Sequence, residues 1–382
     1  MVDPIIQGWC PGSYRPMMAG DGLVVRVRPP LSQVSPAQLA ALADLAEDHG
    51  TGVIEATSRA NLQIRGVAEA RFATLLAALD GLGLIAASAE LEARSNLILS
   101  PHREDSVAED IAHTLPKTLM DLPPLPAKFG FVIDTGAMRH LATTSGDIRV
   151  EGTKDALIVR ADGAAAGRRV TDANAAVQAC VDLARWFQET GGVGPDGRGR
   201  MRRHLAAGAV LPPAWANIPP PPTAAQMQAG SGAVGAGFGL FPAAALRQIA
   251  RATSHPIRVT PFRLLVLRKA DLTGLTHPDL ILSPGTGLAA IHGCTGAPAC
   301  PQATVQTRTT ARALAPLLPA GKTLHVSGCA KGCALQRPAD FTLVGRDGRF
   351  DLIRDGTVGA PPSQYGLAPD QLPLIFGPQN AL

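Results

Sequence analysis

The sequence predicts an α+β protein that contains an internal duplication. Segments with the alternation of strands and segments with the periodicity of helices follow one another along the 382 residues, and several recur in the same order in the second half. Four of the six cysteines lie together, and only in the second copy. We therefore expect two similar halves that share one cleft, with a metal on one wall.

The composition is typical of a folded globular chain. Apolar residues make up 46% of it, the mean hydropathy is +0.12, and the formal net charge is only +4. This charge is too small to predict nucleic-acid binding. We expect neither a signal peptide nor a membrane span, because residues 1–20 lack the signal pattern and no apolar run is long enough. Clustered cysteines favour a reducing compartment, so we expect a cytoplasmic protein.

The first half begins with a predicted strand at residues 23–28, where LVVRVR partly alternates. Ser35 and Pro36 predict the start of a helix, as an N-cap followed by a first-turn proline. Residues 53–67 have strand character at both ends, and residues 68–79 predict a second helix. This order of elements is the one that the second half repeats.

The segment between the halves has a different character. Residues 170–190 predict an alanine-rich helix with Cys180 near its apolar face. Residues 212–222 contain proline runs and predict an extended, stiff linker. The chain therefore divides into two halves joined by a helix and a linker.

The duplication is predicted from several short matches. Each match is weak alone, but together they keep one order along the chain. The matching segments are 57–65 with 260–268, 96–101 with 279–284, 131–133 with 324–326, and 157–163 with 343–348.

The cysteines of the second copy form two pairs. Cys294 and Cys300 are spaced C-x5-C, and Cys329 and Cys333 are spaced C-x3-C. Glycines and prolines flank them, which turn the backbone sharply and let amide N–H groups approach a ligand. Four thiolates on two tight loops suit a [4Fe–4S] cluster. The alternatives are a four-cysteine zinc site, which prefers shorter C-x2-4-C spacing, and four unrelated buried thiols.

The two cysteine pairs resemble the cluster signature of the sulfite and nitrite reductase superfamily. Within it, the opening CPG-x3-PM of residues 10–17 and GDGL of residues 20–23 are similar to the precorrin-3B synthases. The resemblance covers nearly the whole chain. It implies a sulfite/nitrite reductase-like fold, with a pseudo-two-fold duplication of ferredoxin-like half-domains and two α/β lobes. The implied divisions are half-domains at 1–90 and 230–270, a lobe without a cluster at 91–210, a linker at 211–229, and a [4Fe–4S]-carrying lobe at 271–382.

Three basic residues resemble the active-site cations of that superfamily. Arg59 lies in a T-x-R-x-x-x-Q segment, Arg94 resembles the arginine of R-N-V-x-x-S-P although Ser95 is an extra residue, and Lys128 resembles the first lysine of L-P-x-K-x-K. They predict a cationic cleft for an anionic ligand. The plain alternative for each is a solvated charge at a strand end. Gly130 replaces the second lysine, which we expect to open space there and which weakens a reductase interpretation.

The resemblance implies an oxidoreductase, a monooxygenase of aerobic cobalamin biosynthesis. It would hydroxylate precorrin-3A with O2 at a ring carbon next to a meso bridge, giving precorrin-3B with a lactone formed from a ring acetate. Electrons would come from NAD(P)H through a partner, because residues 235–239 do not make a dinucleotide-binding motif. The family is thought to use a separate non-haem iron, which His292 or His325 could ligate. Two histidines without a carboxylate do not make a facial triad, so we expect both to be structural or to support other ligands.

Three other functions stay open from the sequence. One is a siroheme-dependent sulfite or nitrite reductase, in which Cys333 would hold the position that bridges the cluster to the siroheme. The second is a non-enzymatic Fe–S electron-transfer or redox-sensing protein, which would leave the shared cleft without a purpose. The third is a zinc-stabilised binding module, which would be colourless.

Overall fold

The structure, a computed structural model, describes residues 10–103, 106–152, 156–215, 217–285 and 287–376. Residues 1–9 and 377–382, which belong to the predicted outer domains, lie outside the described residues. Helices and sheets alternate along the chain, which confirms the predicted α+β class. No helix in the described ranges is long and apolar enough to cross a membrane.

The strands form four five-stranded sheets in the described ranges. The strands are β1 (Met17–Ala19), β2 (Gly22–Val27), β3 (Gln33–Val34), β4 (Val53–Ala56), β5 (Leu62–Val67), β6 (Leu97–Leu99), β7 (Phe131–Asp134), β8 (Ile148–Gly152), β9 (Leu157–Ala161), β10 (Arg168–Val170), β11 (Ala233–Ala236), β12 (Leu240–Pro242), β13 (Ile257–Val259), β14 (Leu264–Val266), β15 (Leu280–Ile281), β16 (Ile291–Gly293), β17 (Leu324–Ser327), β18 (Ala339–Arg346), β19 (Arg349–Gly356) and β20 (Gln364–Leu367).

The α-helices cover one or both faces of these sheets. They are α1 (Pro36–His49), α2 (Glu69–Gly81), α3 (Ala89–Arg94), α4 (Val107–Thr118), α5 (Ala173–Glu189), α6 (Met201–Ala206), α7 (Ala243–Arg251), α8 (Thr307–Leu314) and α9 (Leu372–Phe376). The start of α1 is the predicted one: Ser35 and Gln38 form a reciprocal capping box, with Pro36 at the first turn.

Each of the two antiparallel sheets contains one strand from the other half of the chain. Sheet 1 has the order β1-β2-β5-β4-β12, and sheet 2 has the order β15-β11-β14-β13-β3. Thus β12 pairs with β4, with Phe241 opposite Ile54, and β3 pairs with β13, with Val34 opposite Ile257. This exchange of short strands joins the two copies into one unit.

A single hydrophobic core lies between these sheets and their helices. Val25 and Ile54 of sheet 1 belong to the same buried cluster as Ile257 and Leu265 of sheet 2. Helices α1 and α7 contribute to that cluster and pack against each other. Because the apolar faces of both copies are buried in common, neither copy has a complete core of its own.

The other two sheets form lobes with the same topology. Sheet 3 runs β6-β7-β8-β9-β10 and sheet 4 runs β16-β17-β18-β19-β20. In each, the first three strands are parallel and the last two are added antiparallel. The duplication therefore extends to the lobes.

Two of the short sequence matches are wrong. The segment at residues 279–284 contains β15, which pairs with β11 in sheet 2, so it is not the counterpart of β6. By position in the sheets, the counterpart of β6 is β16. The counterpart of β9 is β19, whereas residues 343–348 begin in β18. Short apolar strings such as LILSP are compatible with many different edge strands, so their recurrence does not identify equivalent strands.

The match between residues 57–65 and 260–268 is confirmed at the level of hydrogen bonds. The Thr57 amide donates to the Asn61 carbonyl, and the Thr260 amide donates in the same way to the Leu264 carbonyl. Both threonine hydroxyls accept from the backbone of the turn. These two turns lie between β4 and β5 and between β13 and β14, where each copy places one loop toward the lobes.

Because β12 is exchanged between the copies, substitution of its buried aromatic residue should lower the free energy of unfolding more than substitution of an exposed aromatic residue. Phe241→Ala, at a fully buried position, should lower the free energy of unfolding by about 3–5 kcal/mol, because it removes core contacts shared by both copies. Chemical denaturation would measure it, with Tyr365→Ala (69% exposed) as the control expected to change little. Equal effects of the two substitutions would show that β12 does not stabilise the joint core.

Candidate functional site

The two cysteine loops start from neighbouring parallel strands. Strand β16 pairs with β17 so that His292 lies beside His325 and Gly293 beside Val326. Each loop leaves the carboxyl end of its strand, and the Cys294 amide donates to the Val326 carbonyl at 3.2 Å. Because parallel strands end at the same edge, Cys294 and Cys329 start from adjacent points. The structure thus brings the two predicted cysteine pairs to one edge of sheet 4.

Backbone amides and glycines shape the loops around the sulfurs. The Gly328 amide donates to the Cys294 Sγ at 3.2 Å, which is the type of hydrogen bond that supports cluster thiolates. Gly296 has φ of 70°, and a Cβ atom there would lie 2.4 Å from the Thr307 hydroxyl. That hydroxyl donates to the Cys294 carbonyl at 2.6 Å. Only glycine fits this turn, so the flanking glycine has the role that the sequence predicts.

The four thiols lie within electrostatic reach of one another, and none of them is in a disulfide. Burial raises the pKa of Cys333, Lys331 opposes that shift, and Cys294, Cys329 and Cys300 raise the pKa further. A positive group near Cys333 would therefore favour its thiolate, and iron bound by the quartet would do so most strongly.

Four thiolates can hold either a single zinc ion or an iron–sulfur cluster, so the identity of the cofactor stays a prediction. Among the described residues, no three His, Cys, Asp or Glu side chains are arranged to hold one metal ion. Zinc requires each sulfur at about 2.3 Å from the same ion. A [4Fe–4S] cluster instead binds each thiolate at a different iron, and its sulfurs accept hydrogen bonds such as the one from Gly328.

His292 and His325 form a neighbouring pair beneath the first loop. Burial, and then Arg337 and Arg263, lower the pKa of His292 to about 4, and burial lowers the pKa of His325 to about 4. Both rings are therefore neutral at pH 7. His325 is fully buried, and neither of its ring nitrogens has a hydrogen-bond partner among the described residues.

Arg59 contacts the backbone of Lys128, so the structure brings these two predicted residues next to each other in the chain fold. Arg59 lies in the tight turn between β4 and β5, and its guanidinium donates to the Asn96 carboxamide and to the Lys128 carbonyl, each at 3.4 Å. Burial lowers the pKa of Arg59, and the nearby Cys10 thiol opposes this shift. A desolvated guanidinium with free N–H groups is a strong partner for a carboxylate.

Arg94 is held elsewhere by its hydrogen bonds. Its guanidinium donates to the carbonyls of Leu122 and Pro123, at 2.6 and 2.9 Å, and the side chain is buried. No described hydrogen bond joins it to Arg59 or Lys128. The structure therefore places Arg94 as an anchor of the loop that leads to Lys128, and its predicted direct role stays a prediction.

The expectation that Gly130 opens space in the cleft is wrong. A Cβ atom at Gly130 would lie 2.8 Å from the Asn96 Nδ2 and 3.1 Å from the Asn96 carbonyl oxygen. The same Asn96 amide donates to the Phe129 carbonyl at 2.7 Å and its oxygen accepts from Arg59. A neutral carboxamide thus fills the space next to Gly130, so that the cleft has one cation fewer without becoming larger there.

A row of polar side chains that the sequence did not predict extends from Arg26 to Arg308, near the first cysteine loop. Arg26 donates to Gln63 at 3.1 Å, Gln63 donates to Glu55 at 3.2 Å, and Arg308 of α8 pairs with Glu55 at 3.2 Å. Burial lowers the pKa of Arg308, and Glu55 and the Cys294 thiol raise it. The only sequence signals were the alternation around Arg26 and the final glutamine of T-x-R-x-x-x-Q.

The hairpin of β1 and β2 also contacts the first cysteine loop. The Gly20 amide donates to the Ala299 carbonyl at 3.1 Å, and Arg65 donates to the same carbonyl while it pairs with Asp21 at 2.8 Å. A Cβ atom at Gly20 would lie 2.6 Å from the Pro298 carbonyl oxygen. The first copy therefore supports the cluster loop of the second.

Comparisons with known proteins identify the fold and the family. Residues 15–82 match the family model described as the nitrite/sulfite reductase ferredoxin-like half domain. The structure of the Mycobacterium tuberculosis NirA protein has the same fold, with a TM-score of 0.64 and 18% identity over 92% of this chain and 79% of that chain. A precorrin-3B synthase from Sinorhizobium sp is 31% identical, covering 94% of this chain and 85% of its own length. The chain belongs to the precorrin-3B synthase family.

Membership of the precorrin-3B synthase family confirms the predicted enzyme class and fold. The chain is an oxidoreductase of cobalamin biosynthesis, with the sulfite/nitrite reductase-like α+β fold. The ligand set of the precorrin-3B synthase site, from Cys294 to Cys333, stays a prediction with a direct test.

Substitution of a proposed cluster ligand should lower the iron content, whereas substitution of a cysteine in the core should not. Cys329→Ala should lose most of the iron and the brown colour, because one of four thiolate ligands is removed. Cys180→Ala is the matched control: burial in the core raises the pKa of Cys180 far above its usual range, and the thiol has no ligand role. Iron analysis and visible absorption would measure both, and unchanged iron in Cys329→Ala would contradict the assignment.

Proposed function

We propose that this chain converts precorrin-3A to precorrin-3B by an oxygen-dependent hydroxylation with lactone formation. The observation that carries the proposal is the 31% identity to a precorrin-3B synthase over 94% of the chain. In the balance of this reaction, one oxygen atom of O2 enters the product and the other leaves as water. The two electrons and one of the two protons that this requires come from NAD(P)H through an external donor, and the second proton comes from the solvent.

The residues that would hold the [4Fe–4S] cluster are Cys294, Cys300, Cys329 and Cys333. When bound there, the cluster would supply one-electron transfer. The protein's own contribution is the Gly328 amide, which donates to the Cys294 sulfur and favours the thiolate. A separate non-haem iron stays part of the proposal only as a family property, with the neutral His292 and His325 side by side as its nearest candidate donors.

Arg59 and Lys128 are the proposed carboxylate-binding residues of the cleft. Two of the five N–H groups of Arg59 are used by Asn96 and the Lys128 carbonyl, and these bonds fix the direction of the guanidinium. The remaining N–H groups can bind an acetate or propionate arm of the tetrapyrrole. Holding the arm fixes which ring carbon faces the oxidant, and this positioning is what the cations contribute to the rate.

The polar row extends this binding surface toward the cluster. Glu55 accepts from Gln63 and Arg308, so it neutralises part of the charge and holds both side chains in place. We propose Arg26 and Arg308 as further ligands for carboxylate arms, since one end of the row is near Arg59 and the other near Cys294. A substrate with many carboxylates is suited to such spread cations, whereas a small oxyanion requires concentrated ones.

Arg94 is proposed as a positioning residue. Its bonds to the Leu122 and Pro123 carbonyls fix the loop that precedes Lys128. The surroundings of Gly130 also favour a large substrate with several carboxylates over a small oxyanion, because Asn96 places an uncharged amide where a reductase of the superfamily has a lysine.

Free thiols and the proposed cluster are consistent with a reducing compartment, so the cytoplasm stays our proposed location.

Removing the charge of Arg59 should reduce catalysis without unfolding the protein. Arg59→Gln should lower kcat/KM for precorrin-3A by about 10- to 100-fold, the loss of one charge-assisted hydrogen bond of roughly 1.5–3 kcal/mol. Its Tm should stay close to that of the parent. Arg94→Gln should instead lower Tm, and Arg185→Gln on the exposed face of α5 should change neither. A parent-like kcat/KM for Arg59→Gln would remove Arg59 from the site.

The reaction itself has a direct test. Purified protein under anaerobic conditions would be given precorrin-3A and a reductant, and then O2 labelled with ¹⁸O. We expect one labelled oxygen atom in the product by mass spectrometry and none without O2. Turnover of sulfite or nitrite with no change in precorrin-3A would contradict the proposal and support the siroheme-dependent alternative.

A further inference from the structure

Each copy has a cavity beside the turn that precedes its exchanged strand. The copy-1 pocket, of about 210 Å³, is lined by Leu31 and Asn61, and the copy-2 pocket, of about 310 Å³, by Phe238 and Leu264. Leu31 and Phe238 occupy the left-handed turns (φ of 57° and 61°) that precede the exchanged strands β3 and β12. Asn61 and Leu264 end the two equivalent threonine turns. The pockets therefore share these two equivalent positions, although their other walls differ: Ala112 and Lys117 of α4 line the first, and Lys322 and Thr323 line the second.

One position of the threonine turn distinguishes the two pockets. The first copy has Ala60 there (φ of 53°), buried in a small apolar cluster. The second copy has Arg263 (φ of 60°), whose side chain lines the copy-2 pocket. A Cβ atom on Gly239 would lie 2.9 Å from the Arg263 Cδ, so the stem of the arginine lies directly on the backbone of the turn. The second copy therefore has a positively charged side chain at this position of the turn.

The copy-2 pocket contains charge without a counter-charge. Arg263 donates one N–H to the Phe238 carbonyl at 3.2 Å, and Arg337 lies on the same pocket wall. Lys322 at the rim is already paired with Asp340 at 2.9 Å. Within the described ranges, no carboxylate lies within ion-pair distance of Arg263 or Arg337. Two guanidinium groups on one concave surface suit a single anionic group, which they can bind through several N–H groups.

The copy-2 pocket lies partly at the edge of sheet 4 that is opposite the cysteine loops, and it comes near the first loop at His292, two residues before Cys294. Its wall includes Lys322 and Thr323, which directly precede β17, whereas Cys329 follows the other end of that strand. Four residues of strand span about 13 Å at roughly 3.3 Å per residue. The wall formed by Lys322 and Thr323 therefore lies at the amino edge of sheet 4, whereas Cys329 lies at the carboxyl edge.

We propose that the copy-2 pocket is a second ligand site, which takes a small molecule with a phosphate or carboxylate group on a planar ring. Arg263 and Arg337 would bind the anionic group. The aromatic side chains of Phe238 and Phe262, on the same surface, would contact the ring. The volume lies at the lower end of the range for ligand pockets, so a compound of nucleoside-monophosphate size fits and a tetrapyrrole does not. This proposal does not depend on the proposed function.

Isothermal titration calorimetry with the full chain tests the site. The probes are AMP, inorganic phosphate and benzoate, which separate the contribution of the anion from that of the ring. We expect AMP to bind more tightly than either fragment. Arg263→Ala or Arg337→Gln should weaken AMP binding at least about tenfold, the loss of one charge-assisted contact. Arg185→Gln is the matched arginine control and should bind AMP as the parent does.

The two substitutions are chosen so that a loss of binding can be distinguished from a loss of folding. Arg263→Ala installs the residue that the first copy carries at the same left-handed position, and Arg337 is exposed, so both chains should fold. Circular dichroism would check this. Absence of binding by all three probes at millimolar concentration, or parent-like AMP binding by both variants, would overturn the proposal. Arg59→Gln should bind AMP normally, which distinguishes this site from the cationic cleft.

Discussion

The parallel pairing of β16 with β17 is the contact on which the rest of the site depends. It sets Gly293 beside Val326, so that both cysteine loops leave the same edge of sheet 4 and the Gly328 amide reaches the Cys294 sulfur. A shift of this register by one residue would turn every side chain of the strand to the other face and separate the loops. The rest of the fold can be understood as holding this edge against the first copy.

The strand exchange supplies that support. Strand β12 pairs with β4, and β4 carries Glu55, which binds Arg308 of the helix that follows the first cysteine loop. The polar row therefore crosses from one copy to the other through contacts that only a shared core can keep in place. The same duplication is consistent with cysteines in only one copy, because the proposed shared cleft would need ligands for a cofactor on one wall and cations on the other.

Local features of the site could be predicted from the sequence, whereas features that depend on distant contacts could not. The cysteine pairs, the capping box at Ser35 and the turn that carries Arg59 each depend on residues within a few positions, so their spacing was sufficient. The exchanged strands have two or three residues and no periodicity that could predict their partners. The pair of Arg308 with Glu55 spans 253 residues of sequence, and the position of Arg94 depends on the path of a loop. The sequence also did not predict that the space next to Gly130 is filled, because Asn96 reaches that space from the end of another strand.

We propose that four thiolates at one sheet edge hold an iron–sulfur cluster beside a surface of arginines. Quantitative analysis of iron and acid-labile sulfide in anaerobically purified protein tests it most directly. We expect about four atoms of each per chain, the content of one [4Fe–4S] cluster. Zinc in place of iron, or iron without acid-labile sulfide, would contradict it.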